Sequence, residues 1–232
     1  VWDDDFKFVS HMRDDPDTSH IRDSTSNDND GAKIGAGEPV EASGKIDRAQ
    51  DFDGSNDYVE VPHDTSLNII GDITIEAWVN SDASPASFNT IASKEKDMNN
   101  NPFHFGWLNT AKLRTYINPQ ALDSTDTITY GVWTYVVMTR DVSEKKIYFF
   151  FNGSDDSGNP HAYTGSPSSS TTSLFIGKHP ESLNFVKGSI DEERISAAFR
   201  SVAWISASYE SERDHLNDFG EEETALVAPL VL

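Results

Sequence analysis

The chain of 232 residues contains no cysteine, which excludes disulfide scaffolds, thiol catalysis and cysteine-ligated zinc sites. Basic residues are scarce, with 18 Lys and Arg against 39 Asp and Glu and a formal net charge of -21. Such a surface repels nucleic-acid phosphates and anionic membranes, so we expect neither as a partner. No apolar run reaches the ~18 residues of a membrane span, so we expect no membrane insertion. Because Val1 is neither an initiator methionine nor the start of a signal peptide, we expect a longer polypeptide.

Short segments in which apolar and polar residues alternate fill the chain from residue 49 onward, with turn residues about every 8–12 positions. In Ile73–Val79, for example, every second residue is apolar, which places one face of the strand in a core. The segment Asp53–Asp57 is predicted to form a hairpin turn. Only residues 197–211 have apolar residues near helical spacing. The pattern therefore predicts an all-β sandwich of two antiparallel sheets with one short C-terminal helix.

The N-terminal part of the chain has a different composition. An apolar-rich run around Phe6–Met12 is predicted to be the first strand, and residues 14–44, rich in Asp, Ser, Asn and Gly, an ordered loop. We expect residues 1–212 to form one domain, in which the N-terminal strand and the acidic loop of residues 1–48 pack on the sandwich. Residues 213–232 are then a C-terminal tail.

Six short blocks follow one another along the chain: Phe52–Val59, Ile73–Trp78, Trp133–Val137, Ile147–Gly153, Leu174–Gly177 and Gly188–Ile195. Their order resembles the laminin-G/concanavalin-A-like lectin/glucanase superfamily, in its branch of LamG-like jelly rolls of prokaryotic surface proteins. The resemblance covers about residues 49–196. It implies a two-sheet antiparallel jelly-roll sandwich with an extracellular or cell-surface location. Members of the superfamily are mainly sugar-binding or adhesive modules of larger proteins.

The resemblance also implies a structural Ca²⁺ that ties an N-terminal loop to the last core strand. The loop Asp23–Gly31 is rich in side-chain and backbone oxygens, the ligands that calcium prefers. Asp23 and Asp191 are the expected side-chain ligands, and the loop around Asn27 and Asn29 is expected to complete the shell. The alternative is that Asp23 caps a turn and the other loop residues are solvated.

Carbohydrate recognition needs aromatic rings that stack on a sugar and polar groups that fix its hydroxyls. Trp107, Arg114, Tyr116 and His104 lie in the middle strands of the expected sandwich and are the candidate ligand-binding residues. Alternation places His104 on the face opposite to Trp107. Only one of these two faces can therefore form the sugar-binding groove.

An enzyme on the same fold is the rival hypothesis. Laminarinase-type hydrolases carry Glu-x-Asp-x-x-Glu on one strand, and retaining enzymes of this kind work with two carboxylates about 5–5.5 Å apart. The nearest segment here, Ser189–Arg194, has Ser189 in place of the first Glu, so we do not expect an enzyme. Residues of the types that alginate lyases use are present, but no motif assembles them. The histidines have no His-Glu-x-x-His spacing, so no zinc site is predicted.

The expected function is therefore a non-catalytic extracellular carbohydrate-binding module with structural calcium, whose partner is a polysaccharide or glycan. A second hypothesis is a structural or adhesive subunit of a surface layer or filament that binds neighbouring surface-protein subunits. It is favoured by the apolar stretch Ala225–Leu232, because such a segment can add a strand to a neighbour's sheet edge. A third is a glycoside hydrolase or polysaccharide lyase.

Overall fold

The computed structural model describes residues 2–82, 87–95, 101–179 and 184–213. In these residues the strands are β1 (Phe6–Ser10), β2 (His20–Ile21), β3 (Gly31–Ile34), β4 (Val40–Ser43), β5 (Arg48–Asp53), β6 (Tyr58–Val61), β7 (Ile73–Ser81), β8 (Phe88–Ser93), β9 (His104–Leu108), β10 (Lys112–Ile117), β11 (Gln120–Thr127), β12 (Thr134–Asp141), β13 (Lys146–Phe151), β14 (Ser154–Asp155), β15 (His161–Ala162), β16 (Leu174–Ile176) and β17 (Lys187–Ser196). A 3₁₀ turn spans Thr65–Leu67 and one helix, α1, spans Val202–Glu212.

The strands form two antiparallel sheets that pack face to face. Sheet 1 has the order β14-β13-β12-β7-β17-β5-β4, with β1 also paired to β17 and β15 to β13. Sheet 2 has the order β11-β10-β9-β8-β16-β6-β3-β2. The predicted two-sheet antiparallel jelly-roll sandwich with one short C-terminal helix is confirmed.

The core lies between the sheets and follows the two-residue period of the strands. In β7, Ile73, Ile75, Ala77 and Val79 are all buried in one large apolar cluster, while Trp78 lies on the other face. Burial of each of the larger side chains, Ile73, Ile75 and Val79, contributes roughly 1.5–3 kcal/mol. The strand faces predicted from alternation are therefore the ones that hold the sandwich together.

The outer face of sheet 1 is covered by α1. Ile205 of the helix packs on a second apolar cluster that includes Trp78, Tyr135 and Phe150. The helix begins at Val202, later than the predicted residue 197, because Ser201 is extended and its hydroxyl accepts a hydrogen bond from the Trp204 amide. Ser201 is thus an N-cap that defines the start of the helix. We call this surface the helix-covered face.

Residues 14–44 contain more than the predicted loop: β4 forms one edge of sheet 1, β2 forms one edge of sheet 2, and β3 pairs with β2 inside that edge. These strands are short and poor in apolar residues, so alternation did not reveal them. Gly31 begins β3 where a side chain would collide with Val59, Ile21 and Val61: a Cβ there would lie 2.5 Å from a Val59 methyl carbon. Only glycine lets β3 approach the core this closely.

The prediction of a hairpin at Asp53–Asp57 was wrong, because β5 lies in sheet 1 and β6 in sheet 2. The turn is real, with Gly54 at a positive φ of 80°, but it carries the chain from one sheet to the other. The predicted C-terminal tail begins at residue 213, and its part from residue 214, including Ala225–Leu232, lies outside the described residues. Within the ranges that the structure describes, we find no helix of the length and apolarity that a membrane crossing requires.

Candidate functional site

Three of the four predicted ligand-binding residues lie together on the outer face of sheet 2. His104 on β9 stacks on Tyr116 of the neighbouring β10, with ring centroids 6.0 Å apart and an interplanar angle of 23°. Phe88 on β8 meets the His104 ring edge to face at 4.6 Å. Arg114 is two residues from Tyr116 on β10 and so shares its side of the sheet. We call this surface, defined by His104, Tyr116, Phe88 and Arg114, the histidine face.

Arg114 is held in place by a bidentate ion pair. Its Nε and NH2 nitrogens donate to the two carboxylate oxygens of Asp123 on β11, at 2.5 and 2.7 Å. The Arg114 side chain keeps 26 % of its surface exposed. A guanidinium that is fixed by one carboxylate and still exposed can donate to a further oxygen without first losing rotamer freedom.

Trp107 lies on the opposite side of sheet 2 from His104, as alternation predicted. It is fully buried in the main core cluster, and its indole N–H donates to the Ser81 hydroxyl at 3.0 Å. The structure therefore places Trp107 in the core and not in a sugar-binding groove. The physical reason is the two-residue period, which sends only one of these two faces outward.

His104 also belongs to a cluster of possible metal ligands with Glu95 and His179. His104 Nδ1 lies 2.6 Å from Glu95 Oε2, and His179 Nε2 lies 3.9 Å from the same oxygen. Glu95 and His104 are buried, whereas the His179 side chain is 19 % exposed. Burial, and then the neighbouring His104, lower the pKa of His179 to about 4, so its imidazole is neutral at pH 7.

A second aromatic group on the outer side of sheet 2 was missed by the sequence reasoning. Tyr58 of β6 lies 6.0 Å from Phe175 of β16 and 6.4 Å from Phe185, measured between ring centroids. The Lys178 ammonium lies 4.3 Å from the centre of the Tyr58 ring. Alternation could have placed both rings on the outer side, because the neighbours of Tyr58 and Phe175 along their strands are buried in the core. This group extends the aromatic surface across neighbouring strands of the sheet.

The predicted calcium ligand Asp23 is occupied by protein donors. Its two carboxylate oxygens accept hydrogen bonds from the amides of Val9, Thr25 and Asn29 and from the Thr25 hydroxyl, at 2.8–3.0 Å. A carboxylate has about four acceptor positions, so these donors use its full capacity. Asp23 is only 2 % exposed, and its hydrogen bonds tie β1 to the loop.

Of the other predicted calcium ligands, Asn27 and Asn29 also connect the loop to β1, whereas Asp191 lies elsewhere. The side-chain amides of Asn27 and Asn29 donate to the Lys7 carbonyl of β1, at 3.4 and 2.8 Å. Asp191 instead accepts from the Ile46 amide at 2.8 Å, and burial raises its pKa to about 7. Asp23 and Asp191 share no hydrogen-bond partner among the described residues. This donor set does not fit a calcium ion shared by Asp23 and Asp191, because donors of the protein already use the acceptor positions of Asp23.

The two carboxylates of the segment that most resembles the hydrolase motif are buried in sheet 1. Asp191 and Glu193 on β17 are both fully shielded from solvent, and neither oxygen of Glu193 has a hydrogen-bond partner among the described residues. Burial raises the pKa of Glu193 well above its usual range. Ser189 donates its hydroxyl to Asp51. The segment thus has the packing of a structural strand.

Two clefts in the part of the chain that the structure describes lie beside the N-terminal loop. One of about 300 Å³ is lined by residues that include Arg13, Arg22 and Asp28, and one of about 610 Å³ by residues that include Trp2 and Asp3. Neither is lined by a residue of the histidine face. The histidine face thus lies apart from both clefts.

Comparison with known proteins agrees with this architecture. A model of the concanavalin A-like lectin/glucanases superfamily matches residues 53–206 of the chain. The sequence has no significant match among curated proteins. Solved structures with the same fold include domain 4 of AbnA, a GH43 extracellular arabinanase from Geobacillus stearothermophilus, in complex with arabinotriose. That domain has a TM-score of 0.67 and 19 % identity, over 87 % of this chain and 97 % of that one.

Two further structures are larger than this chain. The binding domain of Paraclostridial Mosquitocidal Protein 1 has a TM-score of 0.70 at 13 % identity, over 90 % of this chain and 52 % of that one. The Trypanosoma rangeli sialidase in complex with sialic acid has a TM-score of 0.68 at 12 % identity, over 93 % of this chain and 34 % of that one. At these identities the likeness shows the fold alone.

Proposed function

The chain belongs to the concanavalin A-like lectin/glucanases superfamily, and we propose that it is a non-catalytic carbohydrate-binding domain that holds its sugar on the histidine face. The observation that carries this proposal is the pairing of an aromatic platform with a fixed polar group. Tyr116 stacks on His104, and two residues away Arg114 is held by Asp123. An aromatic ring covers the apolar side of a sugar while a fixed donor selects its hydroxyls. The arabinotriose complex of the similar AbnA domain supports this ligand class.

The burial of the carboxylates on β17 supports the proposal that the domain is not catalytic. Glycoside hydrolysis by two carboxylates needs both groups in contact with the substrate. Asp191 and Glu193 are shielded from solvent, and Ser189 stands where the hydrolase pattern has its first Glu. Calcium at Asp23 stays a prediction outside this proposal, because the hydrogen bonds of Asp23 explain the loop without it.

We further propose an extracellular location. The similar AbnA domain comes from an extracellular arabinanase, and a glycan surface is the natural partner of a sugar-binding module. The net charge of -21 supports solubility outside the cell but selects no particular glycan.

The test is a glycan array followed by calorimetry with the best ligand, with arabino-oligosaccharides among the probes. Tyr116→Ala is expected to weaken binding roughly 3–10-fold, which corresponds to an aromatic contact of about 0.5–1.5 kcal/mol. Tyr148→Ala is the matched control, because Tyr148 is also partly buried but packs against the helix-covered face. Its affinity is expected to equal that of the wild type.

Two outcomes contradict the proposal. One is equal affinity in the Tyr116→Ala variant and the wild type, which places the sugar elsewhere. The other is that no glycan binds and that the chain forms polymers in analytical ultracentrifugation. That result favours the surface or filament subunit, whose support in the sequence, Ala225–Leu232, lies outside the described residues.

A further inference from the structure

We propose that Glu95, His104 and His179 form a binding site for a divalent transition-metal ion such as Zn²⁺. The proposal goes beyond glycan binding and does not depend on it. The three residues come from the end of β8, from β9 and from the segment after β16, and each offers one ligand atom. These three atoms all lie within 4.8 Å of one another.

The distances are close to those of an assembled site. Bonds from Zn²⁺ to imidazole nitrogen and carboxylate oxygen are about 2.0–2.2 Å, which in a tetrahedral site separates the ligand atoms by roughly 3.3–3.6 Å. Here His179 Nε2 is 3.9 Å and His104 Nδ1 2.6 Å from Glu95 Oε2. Shifts of about an ångström, within the reach of side-chain torsions, would therefore complete the geometry.

Ring contacts hold the two imidazoles beside each other, with their planes inclined by 61°. Phe88 meets both rings edge to face, His104 at 4.6 Å and His179 at 6.1 Å between centroids. The two histidine rings lie 4.8 Å apart. His104 Nε2 lies 3.3 Å from the Thr90 hydroxyl, a contact of the kind that fixes the tautomer of a metal-binding histidine.

The chemistry of the ligands selects the class of ion. Two imidazoles and one carboxylate suit zinc and its neighbours in the first transition row, whereas calcium prefers six or more oxygens. Three protein ligands leave a fourth position for water or another ligand, as in sites that are not purely structural. His179 is the ligand that reaches solvent, with 19 % of its side chain exposed, and it gives the ion a way in.

A histidine beside a buried carboxylate is common without a metal, and the chain contains a close example. His161 lies 3.0 Å from the fully buried Asp156, and its side chain is 16 % exposed. His161 and Asp156 belong to no group of three possible ligands among the described residues. The second histidine is thus what distinguishes the cluster of Glu95, His104 and His179, and His161 serves as its matched control.

The experiment measures Zn²⁺ binding by the full chain, purified without a histidine tag and freed of metal. Calorimetry is expected to give one Zn²⁺ per chain, and added Zn²⁺ is expected to raise the melting temperature. His179→Ala should weaken Zn²⁺ binding at least about tenfold, and His161→Ala should leave it unchanged. Co²⁺ as a spectroscopic probe should give a tetrahedral visible spectrum in the wild type that His179→Ala loses.

His179→Ala is preferred over changes at His104 or Glu95, because His179 is partly exposed and its loss should leave the fold intact; circular dichroism checks this. The proposal is overturned if no Zn²⁺ binds at micromolar concentration, or if wild type and His179→Ala bind it equally. Glycan affinity, measured separately in metal-free buffer, reports on the proposed function and not on the metal site.

Discussion

The outer faces of the two sheets are built from similar side chains but are covered differently. On the helix-covered face, α1 lies over Trp78 and Tyr135, and the charged groups beneath it are paired with one another. On the histidine face, Tyr116 and Arg114 stay partly exposed, and the His104 imidazole contacts a second histidine, His179. Aromatic and charged residues thus serve packing on one face and remain available to a ligand on the other.

The network beneath α1 shows what sealing a face requires. Arg194 lies 3.0 Å from a Glu76 oxygen and contacts Glu212 of α1 as well, and the Trp78 indole donates to Glu212 at 2.6 Å. The Tyr135 hydroxyl donates to Glu76. Buried charges are tolerated because each has a partner of opposite sign or a hydrogen bond. The role of an aromatic cluster on an outer face is therefore decided by the element that covers it, and not by its position in the sheet.

The largest effect is expected from Glu212→Ala. It leaves Arg194 with one carboxylate and the Trp78 indole without an acceptor, so the free energy of unfolding should fall by roughly 3–5 kcal/mol in urea titrations. Glu210→Ala, two residues earlier on the same helix, removes only a surface pair with Arg213 and should change it by less than about 1 kcal/mol. Equal losses in both variants would show that the helix-covered face is not sealed by the network.

Asp23→Ala is expected to have the next largest effect, because four donors lose their acceptor in a buried position. The free energy of unfolding should fall by roughly 2–4 kcal/mol, with or without added Ca²⁺. Asp28→Asn is the control, since Asp28 is exposed in the same loop and asparagine tolerates its positive φ of 51°. If Ca²⁺ raises the melting temperature of the wild type and Asp23→Ala abolishes that gain, the calcium prediction is right and the hydrogen-bond account is insufficient.

Glu193→Gln tests whether pairing, and not burial alone, stabilises carboxylates in sheet 1. Glu193 is as buried as Glu76 but has no partner among the described residues, and its folded-state pKa lies well above the usual 4.5. The native state therefore binds a proton that the unfolded state releases, so wild-type stability should fall as pH rises above about 4.5. Between pH 5 and 8 the unfolding free energy of Glu193→Gln should rise by at least about 1 kcal/mol relative to that of the wild type. Parallel pH profiles for the two proteins would contradict this pKa assignment.

Alternation in the sequence predicted most of the sandwich, because the core strands bury one face and the pleat has a period of two. It separated His104 from Trp107 correctly. It could not decide which face was inward, since both carry aromatic residues and the choice depends on what packs against them. The same reasoning missed β2, β3 and β4, whose pairing depends on backbone hydrogen bonds to other strands and not on apolar side chains.

The calcium prediction shows a second kind of limit. The loop Asp23–Gly31 is acidic in sequence, and acidity alone suggests a cation. In the fold, the amides of Val9, Thr25 and Asn29 converge on Asp23 and take up its acceptors. The sequence of an acidic loop does not reveal whether backbone amides or an ion will bind its carboxylate oxygens, because some of those amides come from distant parts of the chain.

The fold class, the family and the alternation of strand faces could be predicted before folding was considered, because they follow from short-range periodicity and from motifs in a fixed order. The packing of α1 over one face, and the meeting of Glu95, His104 and His179 on the other, became visible only in the folded chain. His179 lies far along the chain from His104, and no local spacing encodes their contact. Non-local contacts arise only when strands from separate parts of the chain pair, so the candidate metal site exists only in the folded protein.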